Sequence, residues 1–344
     1  ARIAGAAQLK RKVDAAQNIY DRLKALVDSV SINRSIDQEN LEILQNAGPA
    51  QRSYSKEAGL MAMSGLGGFA VGVLIIALIT FRDDQFTSLN EISEKLGQSV
   101  LGQVPLIPNA ERNAPLPLLE MNDQRHAYAE SYRSLRSALH FLTVDGQKPR
   151  VILMTSAMPH EGKSTVSANL ARTLALSGSK VILIDADLRR GMLNKLLGMQ
   201  RAPGLSDLLS QPGITLEQVI QRDPVINFAF IASGKLISNS ADILLGPAFD
   251  KLVATLREQY DYVLVDSSPV FATDDSTTLA PRVDGVLFVV RNRFSRMGPS
   301  KEALDLLYQR QARVLGVVYN QVDASARSYY YYKYDEYNYT AEET

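Results

Sequence analysis

Ala157-Met158-Pro159-His160-Glu161-Gly162-Lys163-Ser164-Thr165 stands between the apolar run Val151–Thr155 and the helix-forming run Val166–Leu176. A tight loop in that setting turns successive backbone N–H groups toward phosphate oxygens, a lysine reaches the β- and γ-phosphates, and a serine hydroxyl can ligate Mg²⁺. Lys163 and Ser164 hold those two places, and Ala157 replaces the first glycine of the general G-x-x-x-x-G-K-[ST] pattern with one extra methyl. Asp185 and Asp187 close a second apolar run and are followed by Arg189 and Arg190. Two carboxylates one residue apart repel each other unless a cation lies near, and Mg²⁺ on a nucleotide supplies that charge. Asp266 closes a third run, Tyr262–Asp266, in the position of a carboxylate that holds Mg²⁺ directly or through water. Together these residues predict a Mg²⁺–nucleotide site competent for phosphoryl transfer to water or to a hydroxyl.

Such a site needs strands whose carboxyl ends lie side by side, because ligands of open α/β sheets bind there. The sequence supplies them. A helix is expected over 130–142, and apolar strands at Val151–Thr155, Val181–Asp185, Phe228–Ala232, Tyr262–Asp266, Val286–Val290 and Leu315–Tyr319, separated mostly by helical stretches. Continuous Val/Ile/Leu runs alternating with helices predict an α/β fold, a doubly wound and mainly parallel sheet covered on both faces, over residues 119–323.

Upstream the pattern changes. Leu60–Phe81 carries no charge over 22 residues, which at 1.5 Å each span ~33 Å, enough for a bilayer core of about 30 Å. Residues 58–82 are therefore expected to form a transmembrane helix in contact with lipid. Its Gly65-x-Gly67-x-x-Ala70 matches a dinucleotide-binding pattern only by letter, since no strand precedes it. Ser64, Gly68 and Gly72 at four-residue spacing fit a small-residue helix-packing face better. Residues 1–47 hold Ile19, Leu23, Leu26 and Val30 at helical spacing and predict a long amphipathic helix ending before Gly48-Pro49. The chain starts at Ala1 inside that pattern, from which an upstream portion is expected. Ser88-Leu89-Asn90-Glu91 fits a capping box for a helix reaching about Leu96. A short strand and an extended linker with Pro105, Pro108, Pro115 and Pro117 complete residues 83–118.

Composition narrows the chemistry. Lys and Arg (37) balance Asp and Glu (37), which argues against a nucleic-acid partner gripped along the whole surface. With no cysteine there is no disulfide framework, thiolate nucleophile or cysteine-held zinc, and the three histidines, His126, His140 and His160, are scattered. Metal chemistry is left to oxygen ligands. Tyr329, Tyr330, Tyr331, Tyr332, Tyr334, Tyr337 and Tyr339 place seven of the 15 tyrosines within residues 329–339. Residues 324–344 read as a mobile tail with no apolar period. Each phosphorylated tyrosine adds about −1.5 to −2 charges, so full modification would make a mildly acidic segment strongly anionic.

With the phosphate loop, the three acids and this tyrosine cluster in hand, the chain resembles the bacterial tyrosine kinases (BY-kinases) of polysaccharide export over nearly its whole length. Glu130-Ser131-Tyr132-Arg133-Ser134-Leu135-Arg136 matches their E-x-x-R-x-x-R pattern. By physics alone Glu130 and Arg133 are an i,i+3 surface pair worth tenths of a kcal/mol. The resemblance implies more: Glu130, Arg133 and Arg136 packing between subunits of a ring, an octamer in the family. It implies an autokinase using ATP and Mg²⁺, regulating polysaccharide polymerisation and export beside a cognate tyrosine phosphatase. Lys163 would act on the transferring phosphoryl group, and Asp185 or Asp187 on the tyrosine hydroxyl. Ser164, Asp185 and Asp266 would hold the metal, and Ala157 to Thr165 together with Asn320 the nucleotide. The seven tail tyrosines would accept phosphate from a neighbouring copy. ATPases of the chromosome-partitioning and division-site type carry a second lysine where Met158 stands, and lack the tail. Asp266-Ser267-Ser268-Pro269 departs from the commoner Asp-x-Pro-Pro, and Pro49 alone represents the proline-rich stretch expected before the membrane helix. Arg52 and Lys56 balance Arg82 and Lys95, a tie under the positive-inside rule. ATP chemistry therefore sets the expected orientation in a bacterial inner membrane: residues 82–344 cytoplasmic, 1–57 extracytoplasmic.

Overall fold

The computed structural model describes residues 2–39, 54–82, 84–107 and 118–323. Pro108, Pro115, Pro117 and the tyrosine tail lie outside the described residues. The chain divides into two compact units, Ala1–Ala77 and Leu78–Thr344.

The described residues of the first unit are helical. α1 spans Arg2–Glu39, and its apolar positions Ile19, Leu23, Leu26 and Val30 are exposed. α2 spans Tyr54–Arg82 and contains Gly59–Ala77, a 19-residue window of mean hydropathy 2.1 with none of it buried. That window is long and apolar enough to cross a membrane. A Cβ added at Gly68 or Gly72 would meet nothing within 4 Å, so the small-residue face is open.

The second unit begins its regular structure with α3 (Leu89–Leu96) and β1 (Val100–Pro105). The Glu91 N–H donates to Ser88 Oγ at 3.4 Å, as a capping box requires, but the Glu91 carboxylate accepts from the Thr87 N–H (2.9 Å), one residue before the cap. There follow α4 (His126–Phe141), β2 (Val151–Ser156), α5 (Lys163–Leu176) and β3 (Val181–Asp185). Four short elements come next, α6 (Leu193–Leu197), α7 (Leu205–Ser210), α8 (Leu216–Val219) and β4 (Ile220–Arg222). The rest is β5 (Phe228–Ile231), α9 (Ser240–Leu245), α10 (Pro247–Gln259), β6 (Tyr262–Asp266), α11 (Asp275–Leu279), β7 (Gly285–Arg291), α12 (Met297–Gln309) and β8 (Val314–Val322).

The eight strands form one sheet in the order β1-β8-β7-β2-β6-β3-β5-β4. Every pairing is parallel except β4 with β5. The central strands are apolar up to their carboxyl ends because both faces are covered. The two-residue period then sorts them: Val151 and Leu153 of β2 join one core, Ile152 and Met154 the other. α3, α10 and α12 cover the first face through Ile92, Phe249, Leu256 and Leu307, and α4 and α5 cover the second through Tyr132, Leu135, Leu170 and Leu174. Each such side chain, fully buried, contributes about 1.5–3 kcal/mol relative to exposure. β1 pairs with β8 at the sheet edge, so the sheet takes in part of the segment that reads as linker. α4 starts at His126, four residues before its expected start, and the antiparallel β4 is an element the sequence did not announce.

Candidate active site

The phosphate loop leaves β2 at Ser156 and enters α5 at Lys163, as the strand-loop-helix pattern requires. Its turn depends on two left-handed residues, His160 (φ 69°) and Gly162 (φ 92°). Glycine takes that conformation without a Cβ penalty. A second reason is steric, since a Cβ at Gly162 would lie 2.1 Å from Asn320 Nδ2. Asn320 Nδ2 donates to the Glu161 carbonyl (3.0 Å), and the Gln321 N–H donates to Asn320 Oδ1 (2.9 Å). Asn320 therefore touches the loop's backbone from the end of β8.

Beyond the loop a cleft of about 510 Å³ opens, lined among others by Pro159, His160, Lys163, Thr165, Asp187 and Arg190. Its volume is that of a small-molecule site, roughly 300–1,000 Å³. Met158, Gly162 and Ser164 also line it, whereas Ala157 (0% exposed), Glu161 (1%) and Asn320 (5%) are buried. No side chain caps the N-terminus of α5. Its leading N–H groups, which a helix cannot satisfy internally, are thus available to an anion.

The acids converge on the lysine. Lys163 Nζ lies 3.6 Å from Asp266 Oδ2 and 3.8 Å from Asp187 Oδ2, and donates to Ser164 Oγ at 3.1 Å. Ser164 Oγ donates to Asp266 Oδ2 (2.6 Å) and Ser167 Oγ to Asp266 Oδ1 (2.9 Å). Asp185 accepts from the N–H groups of Asp187 (3.3 Å) and Leu193 (3.2 Å). Burial, with the charges of Asp266 and Asp187 added to it, pushes the Asp185 carboxyl up to about 8 despite Lys163. Burial also raises Asp266, against the pull of Lys163 and of the Ser164 and Ser167 hydroxyls. Three carboxyls facing one ammonium leave room for a divalent cation. Among the described residues no three His, Asp or Glu side chains form a ready-made metal cage. That suits Mg²⁺, which is usually held by one or two carboxylates together with substrate phosphates and water. The donor set therefore fits a Mg²⁺–nucleotide.

Several supports escape sequence reading. Ser167, one turn after Lys163, could have been noticed at i+4. Arg189 Nε donates to Ser240 Oγ (2.9 Å), which in turn donates to the buried Asp275 (2.7 Å), and nothing local in the sequence connects those three. Glu130, Arg133 and Arg136 lie on α4, apart from the cleft. Arg133 Nη1 bonds Glu130 Oε2 at 3.1 Å, and both arginines border a recess of about 130 Å³ with Leu119 and Glu120.

Known proteins place this geometry. Residues 150–301 match the family model described as an AAA domain. EpsB of Ralstonia nicotianae is 33% identical over 351 residues, covering 97% of this chain and 46% of its own length. Tyrosine-protein kinase Wzc of Salmonella typhi is 28% identical over 351 residues, covering 97% of this chain and 48% of its own length. The chain thus spans about half the length of the curated relatives it matches. Among solved structures, the BceF tyrosine kinase domain superposes with a TM-score of 0.62 at 32% identity, over 69% of this chain and 99% of that one.

Proposed function

The chain belongs to the bacterial tyrosine kinases, and on that premise we propose that it is a membrane-anchored protein-tyrosine autokinase. It uses ATP and Mg²⁺ and modifies tail tyrosines of a neighbouring copy within polysaccharide export machinery. The observation that carries the reading is Lys163 standing within 4 Å of both Asp187 and Asp266 at the mouth of an uncapped helix.

In this reading the first turn of α5 and the loop N–H groups hold the β- and γ-phosphates. Ser164 and Asp266, with Asp185 beside them, hold Mg²⁺, which when bound neutralises charge on the phosphate oxygens. Asp187 walls the cleft while Asp185 is fully buried, so the tyrosine proton is assigned to Asp187. The phenol oxygen bonds to the γ-phosphorus, the bond from that phosphorus to the bridging oxygen breaks, ADP leaves, and Lys163 stabilises the charge that gathers between them. Tyr329, Tyr330, Tyr331, Tyr332, Tyr334, Tyr337 and Tyr339 are the acceptors. Gly59–Ala77 anchors the enzyme with residues 82–344 in the cytoplasm, and contacts through Glu130, Arg133 and Arg136 build the ring in which one copy reaches the next.

Incubation of the purified protein with ATP and Mg²⁺ is expected to yield phosphotyrosine in the wild type and none in Lys163→Met, read by mass spectrometry of the tail. A wild type that hydrolyses ATP without forming phosphotyrosine would instead identify an assembly switch.

A further inference from the structure

Glu161 sits within the phosphate loop, yet it is 1% exposed and has no part in the transfer step. A buried carboxylate is tolerated only where its oxygens are matched by donors, and here one donor is local and the other comes from far along the chain. Glu161 Oε2 accepts the Met158 N–H at 2.8 Å, from within the loop itself. Glu161 Oε1 accepts the Ser295 hydroxyl, from the turn that joins β7 to α12.

Ser295 is itself held on every side. It is 2% exposed, its Oγ accepts the Arg291 N–H (2.8 Å), and its N–H donates to the Arg291 carbonyl (3.0 Å). Its carbonyl accepts the Phe86 N–H (3.1 Å), while the Phe86 carbonyl accepts the Arg293 N–H (2.9 Å). Arg291 Nη1 adds a bond to the His160 carbonyl at 2.9 Å. The β7–α12 turn is thereby tied to the loop through Glu161, Arg291 and Ser295, none of which is among the residues lining the cleft.

The loop needs such a tie. His160 holds φ 69° with a side chain attached, a conformation that is unfavourable for a non-glycine residue and persists only where its surroundings enforce it. We propose that Glu161 and Ser295 form a positioning pair that clamps the Met158–Gly162 turn, so that its N–H groups point at the polyphosphate of the bound nucleotide. The inference rests on the nucleotide-binding reading of the cleft. Neither residue touches the reacting atoms, so the clamp supports ground-state and transition-state phosphates alike. Its loss raises KM for ATP and leaves kcat nearly unchanged.

The test measures ADP binding by calorimetry, with Mg²⁺, on the whole chain. Ser295→Ala and Glu161→Gln are each expected to weaken ADP about tenfold, the scale of one lost hydrogen bond to a charged group. The double variant is expected to be no weaker than either single one, because both remove the same contact. Ser295→Thr keeps the hydroxyl and is expected to bind within about twofold of wild type, whereas the isosteric Ser295→Val behaves as Ser295→Ala. Additive losses in the double variant, or equal binding by the Thr and Val variants, overturn the clamp while the nucleotide reading stands. A wild type that binds no ADP overturns both. If Ser295→Ala fails to fold, the Thr and Val pair decides alone.

Discussion

Asp185 and Asp266 are register partners across the parallel pair β3 and β6, and both are buried, at 0% and 1% exposure. Two carboxyls fixed side by side out of water disfavour their charged forms, first by desolvation and then by each other's charge. Proteins do not assemble that pair for stability. The arrangement is strained until a cation arrives, which is why the same residues that weaken the empty fold are the ones expected to hold Mg²⁺.

A pH signature follows for the chain in chelator without nucleotide. The Asp185 carboxyl moves from 3.8 up to about 8 on folding, so the folded chain binds that proton more tightly than the unfolded one. Its contribution to stability is complete below the unfolded value and is lost as pH rises toward the folded value. The melting temperature is expected to fall between about pH 5 and pH 8 more steeply in wild type than in Asp185→Asn. At about pH 8 the variant is expected to melt higher. Calorimetric melts across that range check it, and parallel slopes for the two proteins would count against it.

Gly162 offers a second test. Alanine there meets both a left-handed backbone (φ 92°) and Asn320 Nδ2 at 2.1 Å from the new Cβ. Gly162→Ala is expected to weaken ADP by more than about tenfold and to cost about 1–3 kcal/mol in stability, the scale of one strained backbone position plus overpacking. Adding Asn320→Ala removes the collision but not the backbone strain, so the double variant should recover only part of the loss. Binding calorimetry and denaturant melts read the two effects, and a Gly162→Ala protein with wild-type affinity would refute the account.

What the sequence discloses here depends on the range of the physics. The central strands were legible because burial on both faces makes β2, β3 and β6 apolar runs until the polar residues at their carboxyl ends, a signal carried by the residues themselves. The phosphate loop was legible because its spacing is local, and so were Asp185 and Asp266, each closing a strand, and Asp187 two residues beyond the end of β3. By contrast β1 is a short strand whose place at the sheet edge depends on β8, more than 200 residues away. The short helices between β3 and α10 are likewise set by packing. Ser295 and Ser240 support the site through hydrogen bonds to residues far along the chain, and such bonds leave no pattern in either segment; Asn320, bonded to the loop in the same way, entered only through the family resemblance.

Substitution of Asp187 offers a test that separates binding from chemistry. The Arg190 N–H fixes its Oδ1 at 2.9 Å, while Oδ2 lies 3.8 Å from Lys163 Nζ in the wall of the cleft. One oxygen is thus tied to the backbone and the other lies beside Lys163 at the cleft. If Asp187 takes the phenol proton, Asp187→Asn keeps the shape and the Arg190 contact but loses the base. Its kcat for tail phosphorylation is expected to drop about 10²–10⁴-fold, the usual scale of general-base catalysis, with ADP affinity within about threefold of wild type. Single-turnover transfer from labelled ATP, beside ADP calorimetry on the same protein, separates the two quantities. Transfer at the wild-type rate would return the proton to another acceptor, and a parallel loss of ADP affinity would make Asp187 a binding residue.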